Sequence, residues 1–295
     1  MMLKRWILPI LIVLIAGCSR STDDLIQDLF SENSSARRAA ATKLMLRTSD
    51  SELVGKLVGI LDDGNEQATF IVTQILGSLA DTTAVSPLGK LVDNPNPDIR
   101  ARACWSLGSI GHDSALPYLL KALDDDVSDV RYSAVVALGY LHYPPAVQHI
   151  FRMFYDPVDS VRVRAIQSLY YYRLDEDAEV HASDFAPTLN DRSDRVRYVA
   201  VQALGGAWED ARGWVFRDSV VAGDLLIESL KDRNKFVRIE TILSLKKLRY
   251  KEAVPYLKQM YDLASVDEEV VISEAIKEIT GEVFPPPLTA GTNAQ

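Results

Sequence analysis

The chain has 295 residues, with 32 Lys and Arg against 41 Asp and Glu and a formal net charge of -9. That acidic balance repels polyanions on average, which excludes nucleic acid as the expected partner. With 47% hydrophobic and 25% charged residues the composition is that of a folded body, and two cysteines, Cys18 and Cys104, cannot form a disulfide framework.

In chain order the first feature is an address. Lys4 and Arg5 precede an apolar stretch from Trp6 to Ala16 that stops at Gly17-Cys18. A membrane-crossing helix needs about 20 apolar residues, so this shorter run predicts an export signal. Leu14-Ile15-Ala16-Gly17-Cys18 resembles the lipobox of bacterial lipoproteins. The resemblance implies that residues 1–17 are removed as a signal peptide and that the Cys18 sulfur carries diacylglycerol. Further acylation, palmitate included, would hold the mature protein at the cell envelope. At about 0.8 kcal/mol per buried CH₂, two or more chains make such an anchor effectively permanent. Ser19, following the cysteine, favours the periplasmic face of the outer membrane by the same likeness. Loss of Lys4 and Arg5 leaves 30 basic against 41 acidic residues, a net of -11. Residues 18–24 make a short linker, which predicts a first folded unit close to the bilayer.

Beyond it a line recurs: Ile99-Arg100, Val130-Arg131, Val161-Arg162, Val196-Arg197 and Val237-Arg238, separated by 31, 31, 35 and 41 residues. Four residues after each apolar position stands a small or short residue (Ala103, Ala134, Ala165, Ala200, Thr241). Next comes an aliphatic or cysteine (Cys104, Val135, Ile166, Val201, Ile242), and later a leucine (Leu107, Leu138, Leu169, Leu204, Leu245). These offsets fall on one face of a 3.6-residue helix. Gly108, Gly139 and Gly205 follow the leucines and are expected to end the helices. Before each line lies a second apolar pattern, as in Ala115–Leu123 and Val254–Tyr261, with proline in its first turn. Between the two patterns come turns such as Asp124-Asp125-Asp126 and Asp156-Pro157, whose side-chain oxygens can cap the second helix. Weaker copies appear at Ala36-Arg37, at Ala68 with Leu76-Gly77, and at Val271 with Ile279.

About eight helix–turn–helix units therefore span residues 25–280. The residues resemble the HEAT-repeat family, in particular its phycobilin-lyase-like bacterial form. Asp126-Val127-Ser128-Asp129-Val130-Arg131 and Asp191 through Arg197 carry the likeness. It implies an all-α, right-handed α-solenoid in which each unit stacks on its neighbours.

Arg100, Arg131, Arg162, Arg197 and Arg238 occupy one structural place beside the turn acids, so they are expected to form a structural ladder and not an anion site. Cys104 shares the slot of Val135 and Ile166 and reads as a buried hydrophobe. His112, His142, His149 and His181 lack the helical spacing of a zinc or di-iron site, and no nucleophile elbow or phosphate loop is present. No metal, cofactor or catalytic residue is expected.

Two breaks in the period remain, near 170–184 and 206–224. The first holds Tyr170, Tyr171 and Tyr172, and the second Trp208, Trp214 and Phe216. Aromatics dominate binding hot spots, which makes these residues candidates for partner binding; equally, the rings would serve to cover an irregular stretch of core. From Lys231 to Lys251 eight basic residues stand against two acidic ones, a local +6. Within that segment Lys246, Lys247, Arg249 and Lys251 are candidates for contact with an anionic surface, against the plainer reading of a solvated helix face. Residues 281–295, with three consecutive prolines, read as a disordered tail. The expectation is a non-catalytic, lipid-anchored envelope scaffold that binds another protein. The alternatives are a lyase-like or chromophore-handling protein and a structural protein contacting anionic lipid or cell-wall polymer.

Overall fold

The computed structural model describes residues 20–48, 52–172, 176–206 and 218–285, apart from the side chains at 171 and 176. The signal sequence with Cys18, the Tyr171 side chain, Trp208, Trp214, Phe216 and residues 286–295 lie outside the described residues. Among those described, regular structure is helical throughout: fifteen α-helices and eight short 3₁₀ segments, with no strand. The chain divides into two compact units, Met1–Ala122 and Leu123–Gln295.

The first unit contains α1 (Thr22–Asp28), α2 (Ser34–Met45), α3 (Leu53–Ile60), α4 (Glu66–Leu79), α5 (Val85–Lys90), α6 (Pro97–Ile110) and α7 (Leu116–Ala122). Short first helices alternate with long second ones, and α2, α4 and α6 pack in succession. Each long helix starts where a side chain replaces the missing backbone acceptor of its first turn. Asn33 accepts from the Ser35 N–H, Asn65 from Ala68, and Asn96 from Asp98, with Pro97 in the first turn. Leu44, Leu53, Leu57, Leu76, Leu88 and Leu107 form the buried stripe.

The second unit runs through α8 (Ser128–Leu141), α9 (Val147–Arg152), α10 (Asp159–Tyr172), a 3₁₀ stretch (Ala182–Asn190) in place of a first helix, and α11 (Asp194–Leu204). It continues with α12 (Ser219–Ser229), α13 (Lys235–Leu248), α14 (Val254–Tyr261) and α15 (Val266–Thr280). The long helices α8, α10, α11, α13 and α15 again stack one on the next. Pro187 in the 3₁₀ stretch lacks an N–H to give an α-helix, and Phe185 anchors the segment in the core.

The glycines correct one expectation. Gly108 and Gly139 lie inside α6 and α8, which end instead at left-handed residues, Gly111 (φ 67°) and His142 (φ 48°). What Gly139 and its counterpart Gly77 require is closeness. A Cβ on Gly139 would stand 2.7 Å from the Ser168 hydroxyl of the next long helix, and one on Gly77 would stand 2.8 Å from the Ser106 backbone. Gly205 does close α11, yet a Cβ there too would run into Ser244. The facing serines complete the joint: Ser106 donates to the Thr73 carbonyl (2.7 Å), Ser168 to Val135 (3.1 Å) and Ser244 to Val201 (3.4 Å). Small residues thus let successive long helices approach while the three facing serine hydroxyls each keep an acceptor.

Candidate functional site

The turn edge of the second unit carries a continuous chain of arginine and acid. Arg131 donates through Nε and Nη2 to Asp156 (2.7 and 3.0 Å), Arg162 to Asp191 (2.7 and 2.8 Å), and Arg197 to Asp232 (2.6 and 2.9 Å). In each case the carboxylate belongs to the turn of the following repeat. The remaining nitrogen, Nη1, reaches back into the arginine's own turn, to the carbonyls of Asp125, Asp156 and Asp191 respectively (2.9, 2.8 and 2.8 Å). The acids also accept the N–H two residues on: Val158 on Asp156 (2.8 Å), Ser193 on Asp191 (2.8 Å) and Asn234 on Asp232 (2.7 Å). The planar guanidinium fork suits this work because its donors fix two turns at once.

Electrostatics follow from the geometry. The hydrogen bond that Arg131 donates to Asp156 outweighs burial and holds its guanidinium above the ordinary value, and the bond to Asp232 does the same for Arg197. Burial pushes the Asp232 carboxyl up, but Arg197 and the Asn234 N–H more than reverse it and leave the group below the usual carboxylate range. Arg238 ends the chain differently. Its acid is Glu268, in the first turn of α15, with Nε at 2.7 Å. Burial acts against the Glu268 charge, yet Arg238 and Ser265 together bring its pKa down to about 2. The sequence pattern missed Glu268 because Val266 occupies the turn-acid position in this repeat. In the first unit Arg100 makes the backward contacts, to the carbonyls of Asn94 (3.0 Å) and Pro95 (3.2 Å), and Arg37 does likewise at Ser31 and Glu32 (2.6 and 2.9 Å).

In the basic segment several charges have acidic neighbours. Lys246 pairs with Glu274 (3.5 Å), Arg249 with Glu278 (2.9 Å) and Lys235 with Asp267, all acids of α15, while Lys247 donates to the Gly206 carbonyl. Lys235, Lys246 and Arg249 are thus paired with the next helix, while Lys247 reaches back to the end of α11. Lys251, which opens the following 3₁₀ turn, is exposed.

The tyrosine triplet also differs from expectation. Tyr170 and Tyr172 are 1% and 0% exposed, so neither ring is available to a partner. The Tyr172 hydroxyl donates to the Leu138 carbonyl (2.7 Å) and accepts from the Tyr143 N–H (2.9 Å), and its ring stacks on His142 at 4.6 Å. Tyr172 therefore caps the end of α8 from the neighbouring repeat, supplying partners for backbone groups that a helix terminus leaves unsatisfied.

The two irregular connections meet at their ends. The Asp218 carboxylate, where the chain re-enters α12, accepts from the Ala182 N–H (3.3 and 3.2 Å), where the first insertion closes. The described ends of the two connections follow the C-terminal ends of the long helices α10 and α11, whereas the arginine ladder runs along the turns that precede the long helices. Next to this closure Glu179 adopts a left-handed conformation (φ 49°), and Tyr155 is 75% exposed. Cys104 is buried in α6. Among the described residues no three His, Cys, Asp or Glu side chains gather as a metal site would need. No described helix is long and apolar enough to cross a membrane.

The family profile of HEAT repeats matches residues 85–170 and 182–279, more than half of the chain. The chain belongs to the HEAT-repeat family. The gap between the matched stretches falls on the first insertion. Among solved structures this HEAT protein is similar to YibA of Escherichia coli, 21% identical, with 89% of this chain and 93% of that chain covered and a TM-score of 0.60. It is also similar to the complex of CpcE and CpcF of phycocyanin lyase from Nostoc sp. PCC7120, at 20% identity, 88% and 95% coverage and a TM-score of 0.46. A third likeness is to human deoxyhypusine hydroxylase in complex with glycerol, at 19% identity, 88% and 96% coverage and a TM-score of 0.39. At such identities the YibA likeness speaks for the fold alone. No curated protein sequence matches the chain.

Proposed function

We propose that this HEAT-repeat chain is a non-catalytic scaffold, held at the bacterial envelope by an acylated Cys18, that binds another protein at its inserted edge. The observation carrying this reading is the asymmetry of the two edges in the second unit. The turn edge is consumed by intramolecular pairs, while the edge that follows α10 and α11 brings the ends of two insertions together at Ala182 and Asp218. The second insertion contributes Trp208, Trp214 and Phe216, rings of the kind that anchor protein interfaces. The lipobox-like Leu14–Cys18 supports placement on the periplasmic face, in the outer membrane.

Affinity capture from detergent-solubilised membranes tests the reading. Wild-type chain is expected to retain a defined partner that the Trp208→Ala, Trp214→Ala double variant loses; failure of both to enrich any protein overturns it. Fractionation of a Cys18→Ser variant tests the anchor, with release from the membrane expected and unchanged membrane association refuting it.

A further inference from the structure

Beside the first insertion, a groove of about 390 Å³ opens between α9 with its following 3₁₀ turn and the 3₁₀ stretch that replaces a first helix. Its apolar walls are Phe151, Phe154, Tyr155 and Pro187, and its acidic residues are Glu179 and Asp184. Phe151 and Phe154 meet edge to face at 5.6 Å, and Phe154 leans on the buried Phe185 at 5.8 Å. Tyr155, in contrast, stands 75% exposed, a large ring left in water beside the buried Phe154.

Glu179 adds a second peculiarity. It follows the 3₁₀ turn Glu176–Ala178 at φ 49°, a backbone conformation that suits glycine and strains a residue with a Cβ. Glu179 is also one of the residues lining the groove. Asp184 lines the groove as well, one oxygen accepting the His181 N–H at 2.8 Å, and a carboxylate has lone pairs for further donors.

We propose that this groove receives an arginine or lysine side chain presented by a partner protein, with Tyr155 and Phe151 against the cation and Glu179 and Asp184 accepting its N–H groups. Charge complementarity selects the occupant. A cation over an aromatic ring gains from the ring's negative face, and paired carboxylates supply charge-assisted acceptors. An anionic or purely apolar group would leave the carboxylates unanswered. The inference rests on the scaffold reading and gives its partner a chemical character: a basic segment at the point of contact.

The test is a calorimetric titration of the full chain, in neutral detergent, with an acetylated Gly-Arg-Gly-Arg-Gly peptide and with its citrulline counterpart, which has the same shape without the charge. The arginine peptide is expected to bind and the citrulline peptide to fail. Tyr155→Ala alters no charge and removes an exposed ring, and it should weaken binding roughly tenfold. Glu179→Gln should weaken it similarly. Glu179→Gly should weaken binding while raising the melting temperature, because it relieves the left-handed strain. Equal binding of both peptides overturns the proposal, as does a Tyr155→Ala variant that binds like wild type while Glu179→Gln weakens, since that pattern is diffuse attraction to an acidic protein. Saturation by tetramethylammonium in preference to the peptide would also overturn it, making the groove a small-ammonium site. If the membrane partner is captured equally by wild type and Tyr155→Ala, the scaffold reading stands and this groove falls.

Discussion

Replacing Asp191 by alanine isolates what one rung of the arginine ladder contributes. Arg162 and Asp191 are 4% and 11% exposed at the side chain, so the variant leaves a guanidinium buried with Nε and Nη2 both without acceptors. The Ser193 N–H loses its acceptor too. Hydrogen bonds to charged groups are worth about 1.5–3 kcal/mol each, and uncoupling one member of a buried ion pair costs about 3–5 kcal/mol. The expected loss is therefore about 3–5 kcal/mol, read from urea unfolding followed by far-ultraviolet circular dichroism. The matched control is Glu278→Ala, whose pair with Arg249 is 54% and 71% exposed and is worth under about 1 kcal/mol. Arg162→Met combined with Asp191→Leu should recover only part of the loss, because the Asp156 carbonyl then lacks its Nη1 donor. Since repeats contact only their neighbours, the single variant should also broaden the transition as the two sides of the joint unfold separately. Equal, small effects of Asp191→Ala and Glu278→Ala would refute the claim that the ladder holds the repeats together.

Two glycines in the first unit should respond oppositely to alanine. Gly77→Ala drives a methyl to within 2.8 Å of the Ser106 backbone and should destabilise by about 1–3 kcal/mol, whereas Gly55 in α3 meets nothing within 4 Å and its alanine variant should stabilise by about 0.5–1 kcal/mol, both measured by chemical denaturation. Tyr172→Phe removes a hydroxyl that serves Leu138 and Tyr143 and should cost about 1–3 kcal/mol, with hydrogen exchange accelerating at the end of α8. Acid stability should depend on Glu268. Its folded pKa of about 2 lies below the ordinary 4.5, so its contribution is complete above pH 4.5 and is lost as pH falls from 4.5 through about 2. Glu268→Gln should flatten the stability profile across that window, and an unchanged slope in pH-dependent denaturation would contradict the pairing with Arg238.

The period was readable because burial imposes it: each long helix needs an apolar stripe, and the offsets after Val130, Val161 and Val196 recur in every repeat that stacks. The arginines were readable for the same reason, being fixed relative to that stripe. Gly139 misled because a glycine after a helical run resembles a terminus, and only the position of Ser168 in the neighbouring repeat shows that closeness is what it serves. Tyr172 misled in a similar way. It stands eleven residues after Val161, about three turns on and back on the buried stripe, but its hydroxyl's partners belong to another repeat. The groove at Tyr155 left no periodic trace, since Phe151, Glu179 and Pro187 are far apart in sequence and meet only because a 3₁₀ stretch replaces a helix.

Asp156, Asp191 and Asp232 each serve two arginines with different atoms, the carboxylate toward the preceding repeat and the carbonyl toward their own. This makes the joints interchangeable. Removing residues 157–191 would set Asp156 directly before Arg192, and Asp156 would still answer Arg131 while its carbonyl took the place of that of Asp191 beneath Arg197. Arg197 would go on to Asp232 as before. The length of such an array is thus free to drift by whole steps under duplication or excision of its coding segment, with no new connection having to be invented at the seam.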